Sequence, residues 1–93
     1  MVQFEAVVMS PVGLHARPAA LFVKKVASSG LKVTIEPMVD GQPEGAADGK
    51  SILSVLALGI KSGQAIRVSV DGDGADADEL VEALKEILAD TEA

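Results

Sequence analysis

The apolar residues of this chain change their spacing repeatedly along its length, and that alternation restricts the fold more than any other feature. Between residues 2 and 9, Phe4, Ala6 and Val8 alternate with Gln3 and Glu5, which is the period of a strand with one buried face. Pro11 and Gly13 close that strand. From Ala16 the spacing turns helical: Ala16, Ala19, Ala20, Val23 and Ala27 fall on one stripe. Pro18 suits a first turn, where its missing N–H costs nothing, and Gly30 supplies a stop. Residues 31–36 alternate again and carry β-branched side chains, predicting a second strand. The Gly-, Pro- and Asp-rich run at 37–50 predicts a hairpin region, with a short irregular strand near 42–46 that Pro43 and Gly45 confine to an edge. Ser51 predicts an N-cap for a short helix striped by Ile52, Val55 and Leu56 and ended by Gly59. A turn at 61–64 leads to a last strand, where Ile66, Val68 and Val70 alternate with Arg67 and Ser69. Asp76 and Glu79, at capping-box spacing, predict the start of a final helix with Leu80, Val81, Leu84, Ile87 and Leu88 on one side.

The resulting order, β-α-β-β-α-β-α, predicts an α+β domain spanning residues 1–93. Its form would be a small four-stranded antiparallel sheet with three helices packed on one face. Phe4 and Phe22 are the only aromatic residues, so the core must be built from Val, Leu, Ile and Ala. Such a core leaves little volume for a deep substrate cavity. The net charge of −6, the eight scattered basic residues and the lack of Trp and Tyr argue against nucleic acid as a partner. Without cysteine there is no disulfide framework, thiolate metal site or Cys nucleophile. Glu5 stands where a signal peptide would need a basic start, and no apolar run approaches the ~20 residues that span a bilayer. A soluble, cytoplasmic monomer is the expectation.

The chemistry is expected in the stretch GLHARPAALFVKKV at 13–26, which holds the only histidine, His15. That residue lies just before the first helix, where unpaired N–H groups and the helix dipole attract anions. Arg17 adds a fixed charge and a fork of donors suited to phosphate oxygens. These groups suit a histidine that accepts a phosphoryl group, holds it and passes it on, since such transfer is largely positioning and charge stabilisation. On spacing alone, a hydrogen-bonded surface histidine remains an alternative. Metal binding is disfavoured because one His without Cys leaves only carboxylates to complete a site, and no nucleophile-elbow pattern supports a Ser–His–acid triad.

The same stretch, together with KSILSVLALGI at 50–60, resembles the HPr family, the histidine-containing phosphocarriers of the bacterial phosphoenolpyruvate-dependent phosphotransferase system. The resemblance covers nearly the whole chain and implies the family's fold, an open-faced β-sandwich, which the element order above matches. It implies that His15 is phosphorylated on Nδ1 by Enzyme I, with no separate cofactor, and that Arg17 assists at the phosphohistidine. Backbone N–H groups around Ala16 and Arg17 would hold the phosphate. The recipient would be the A component of a sugar permease or of a regulatory branch. The carrier would not itself turn over substrate. Ser51 matches the serine that a dedicated kinase modifies in some members. Ala20, Phe22, Val23 and Lys24 on the first helix, with Ile52, Leu53 and Leu56 on the second, resemble the family's docking patch.

Two features depart from the family pattern. Val12 stands where a small polar residue is frequent, and the segment between Thr34 and Lys50 is longer than usual, so a longer hairpin or loop is expected there. The acidic run DGDGADADE at 71–79 fails the calcium-loop pattern, because Asp76 holds the place that requires Gly. Two other readings are a regulatory module that binds partners through Ser51 and the helix faces, and a domain that binds a small metabolite. The intact His15-Ala16-Arg17-Pro18 run disfavours the first, and the lack of a Gly-rich ligand loop disfavours the second.

Overall fold

The structure, a computed structural model, describes residues 1–90. Its elements are β1 (Val2–Val7), α1 (Ala16–Ser29), β2 (Lys32–Val39), β3 (Gln42–Pro43), β4 (Ala47–Asp48), α2 (Ile52–Ala57), β5 (Ala65–Asp71) and α3 (Ala75–Ala89). Every strand pairing is antiparallel: β5 lies between β1 and β2, and the other edge of β2 carries both β3 and β4. The expected α+β sandwich is therefore present. The correction concerns the third strand, which is two strands of two residues each, making the sheet five-stranded.

Register explains which face is covered. Phe4 lies opposite Val68 and Ala6 opposite Ile66, while Val33 faces Val70 and Ile35 faces Val68. Alternation then puts all of these on one side. There they join Phe22 and Val26 of α1, Val55 of α2, and Leu80, Leu84 and Leu88 of α3 in one hydrophobic cluster. The other side is polar. Gln3 donates to Ser69 Oγ at 3.1 Å, and Arg67 bridges to Glu36 at 3.2 Å, each joining neighbouring strands.

The same packing corrects the alanine-based stripe expected for α1. The buried residues are Pro18, Ala19, Phe22 and Val26, whereas Ala16, Ala20 and Ala27 are exposed. Burying a Phe or Val is worth about 1.5–3 kcal/mol, far more than an alanine methyl contributes. The two bulky residues, not the more numerous alanines, therefore choose the face. The helix ends at Gly30 (φ 73°), and Ser29 both donates to the Val26 carbonyl and accepts from the Leu31 N–H.

β2 runs past the predicted end at Glu36 and through Pro37 to Val39. The Pro37 carbonyl accepts from Glu44 N–H at 2.8 Å, so its donorless nitrogen faces the same neighbour, the segment that separates β3 from β4. The break in the third strand thus falls where β2 has no N–H to offer. Between Thr34 and Lys50 the chain forms a hairpin. It turns at Asp40 (φ 52°) and Gly41 (φ 78°), the two consecutive positive values of a tight hairpin turn.

α3 starts one residue before the predicted cap. Gly74 is the N-cap and no side chain caps this end, so Asp76 lies inside the first turn, where its charge complements the helix dipole. Leu80, Val81, Leu84 and Leu88 are buried as predicted, joined by Ala77.

Candidate functional site

His15 is the N-cap of α1. Its backbone is extended (φ −91°, ψ −169°), its carbonyl accepts from Ala19 N–H at 3.0 Å, and its side chain makes no capping hydrogen bond. Three residues of the first turn have no intrahelical acceptor for a main-chain donor, and Pro18 has no donor at all. The N–H groups of Ala16 and Arg17 are therefore the two that open on the helix mouth. The Arg17 side chain is exposed, and no described acid forms an ion pair with it.

The loop that delivers His15 is fixed at several points. Gly13 N–H donates to the Ser10 carbonyl at 3.0 Å, closing a turn over residues 10–13. Gly13 has φ 80°, and a Cβ there would lie 2.5 Å from the Ile60 oxygen and 2.9 Å from Lys61 Cα. Only glycine admits both that φ and that approach. Next in the chain, Leu14 buries its side chain in the core and its N–H donates to the Ile60 carbonyl at 3.0 Å. Upstream, Val8 exchanges hydrogen bonds with the Gln64 carbonyl (3.0 Å) and the Gly63 N–H (2.9 Å), and Met9 N–H donates to the Leu88 carbonyl at 3.0 Å. The imidazole thus rides on backbone tied to β5's entry turn and to the end of α3.

Charge is sorted along the chain. All fourteen acids fall at position 5, within 36–48 or within 71–92, whereas Arg17, Lys24, Lys25, Lys32, Lys50, Lys61 and Arg67 occupy the stretches between. The loop bearing His15, α1 and α2 therefore carry no carboxylate, while Arg17, Lys24 and Lys25 lie on α1 and Lys50 and Lys61 flank α2 in the chain. A half-exposed ring, two outward N–H groups and a guanidinium can seat a dianionic group beside a nitrogen nucleophile.

The docking candidates divide. Ala20 and Lys24 are exposed on α1, and Leu53 (79% exposed) and Leu56 (36%) on α2, which touches α1. Phe22 has no exposed surface; it belongs to the core, because the helix turns its bulkiest residue inward. Val23 and Ile52 are half-buried and pack on the core. Sequence reasoning passed over Leu21, which is 48% exposed, although anchoring the buried face on Phe22 and Val26 puts it outside. Val12 is 70% exposed at the tip of the 10–13 turn. Ser51 is the N-cap of α2 as predicted, with its Oγ accepting from Ser54 N–H at 3.3 Å.

Among the described residues no three His, Cys, Asp or Glu side chains converge as a metal site. A cleft of about 360 Å³ lies at the far end of α1 from His15, between Lys25 and Ser28 on one side and Asp76 and Glu79 on the other. It shares no residue with the helix mouth. Among the described residues no helix is long and apolar enough to cross a membrane.

Residues 2–90 match the family model described as the PTS HPr component phosphorylation site. The chain belongs to the HPr family. It is 36% identical over 91 residues to phosphocarrier protein HPr of Mycoplasma capricolum, covering 98% of this chain and 94% of that relative. The crystal structure of an HPr from Bacillus anthracis superposes with a TM-score of 0.76 at 36% identity, covering 94% of this chain and 95% of that one. A further match, 33% identical over 85 residues, is the multiphosphoryl transfer protein of Salmonella typhimurium, where 91% of this chain aligns with 22% of a longer protein. The function expected from the sequence follows: the chain is a phosphocarrier of the phosphotransferase system, which serves sugar transport.

Proposed function

We propose that the phosphoryl group travels on His15. A ring nitrogen, Nδ1 in this reading, attacks the phosphorus of phospho-Enzyme I; an N–P bond forms to His15 as the donor's bond to phosphorus breaks. The incoming negative charge rests against the N–H groups of Ala16 and Arg17 and the Arg17 guanidinium. The group then leaves for the A component of a sugar permease or a regulatory branch. No cofactor takes part, because the carrier holds the group covalently, and the carrier is a single domain working as a cytoplasmic monomer. Ala20, Lys24, Leu53 and Leu56 form the face that partners meet. Ser51 is a second, regulatory phosphorylation site for a serine kinase and its phosphatase, and a phosphate there would add charge at the edge of that face. The observation that supports this reading most directly is the placement of His15 as an N-cap whose side chain does not cap. The alignment of this chain with one stretch of a longer multiphosphoryl transfer protein supports a domain that works within a phosphoryl-transfer chain.

Intact mass after incubation with phosphoenolpyruvate, magnesium and purified Enzyme I tests the carrier step. One acid-labile phosphoryl group is expected on the wild type and none on His15→Ala. Phosphorylation that persists in His15→Ala would move the site elsewhere.

A further inference from the structure

The peptide group joining Ile60 to Lys61 is held from both ends. Its carbonyl accepts from Leu14 N–H at 3.0 Å, immediately before His15, and its N–H donates to the side-chain Oε1 of Gln64 at 3.0 Å. A peptide unit is rigid and planar, so fixing the N–H direction fixes the carbonyl direction as well. Gly13 lies directly against this same unit, its missing Cβ leaving room for the Ile60 oxygen.

Gln64 closes the turn twice. Its own N–H donates to the Lys61 carbonyl at 3.1 Å while its side chain returns to the Lys61 N–H. Gly63, at φ 81°, occupies the position where such a turn needs a left-handed residue. The Gln64 carbonyl and the Gly63 N–H then engage Val8, at the start of the His15 loop. One half-buried glutamine is therefore connected to both ends of that loop. A polarised chain of this kind also strengthens each of its bonds.

We propose that Gln64 is a positioning residue for phosphoryl transfer at His15, acting through the Ile60–Lys61 peptide group without touching the phosphoryl group. This rests on His15 being the carrier residue. The effect is to hold Leu14, and with it the entry to the helix mouth, in one orientation. A glutamine side chain can do this because Oε1 is an acceptor that reaches back over a four-residue turn. Glutamate keeps that acceptor, whereas methionine keeps the length and loses it.

The test compares Gln64→Met and Gln64→Glu with the wild type in two measurements. The first is amide hydrogen exchange of Leu14, with Val68 in β5 as the internal reference. The second is the rate of phosphoryl transfer from phospho-Enzyme I at saturating donor. A net hydrogen bond of ordinary strength sets the scale: Gln64→Met should speed Leu14 exchange and slow transfer by roughly 3- to 10-fold. Val68 exchange and the half-saturating Enzyme I concentration should stay unchanged, and Gln64→Glu should behave as wild type. Wild-type exchange and transfer in Gln64→Met, or a Gln64→Glu variant as impaired as Gln64→Met, would overturn the proposal. Should His15 not be the carrier, no variant would become phosphorylated there, and the exchange arm would still report whether Gln64 orients Leu14.

Discussion

The His15 ring is the most visible feature of the candidate site, but its placement depends on a residue with no side chain. Gly13 combines a left-handed backbone with an approach to Ile60 and Lys61 that no Cβ allows. For Gly13→Ala the backbone conformation alone costs about 1–3 kcal/mol, before any displacement of the 60–61 strand entry. At about 2 kcal/mol, Tm should fall by roughly 10 °C in a thermal melt followed by circular dichroism. Transfer to His15 should slow as well, because relief of the clash moves Leu14. Arg17 and the N–H groups beside it were legible in the sequence, since Pro18 marks a first turn and a histidine precedes it. The need for Gly13 to be glycine was legible only in part. The letters show a turn, but the atoms it would strike come from a segment 47 positions further along.

Among the elements, α2 is the most exposed to loss of a single contact. It has six residues, buries only Val55, and is capped by the Ser51 hydroxyl. Ser51→Ala should destabilise the protein by about 1 kcal/mol in a denaturant melt, whereas Ser51→Asp, which keeps a capping oxygen, should stay near wild type. If phosphorylation at this position regulates docking, Ser51→Asp should also weaken binding to Enzyme I while leaving its own melt unchanged. Helix and strand periods announced nearly every element, because apolar side chains alternate with polar ones through most of β1, β2 and β5, and Leu and Val stripe α3. Two elements were misread for opposite reasons. In α1 the many alanines carried little packing information, and Phe22 with Val26 set the rotation. In β2 the prediction stopped at Pro37, although a proline is tolerated where the neighbouring strand is interrupted. Pairing of β3 and β4 with one edge of β2 depends on register between distant residues, which local periodicity does not encode.

For the whole molecule, the net charge of −6 conceals a separation of charge, with cations around the His15 loop, α1 and α2 and acids along the α3 segment and the 36–48 hairpin. A partner's acidic face would be drawn to the first region and repelled by the second, so encounter should begin in the productive orientation. The expected outcome is that the association rate with Enzyme I, measured by stopped-flow, falls several-fold as salt rises from about 50 mM to about 500 mM, with dissociation much less affected. A flat salt response would leave docking to the exposed leucines of α2. The tip of the hairpin at Asp40 and Gly41, whatever its charge contributes to steering, stands apart from the anchoring of the site. It extends the far edge of the sheet and supplies none of the hydrogen bonds that tie down the His15 loop. A dye or an affinity tag grafted at that tip would ride on the molecule as a passenger, so the traffic of phosphoryl groups could be followed without disturbing it.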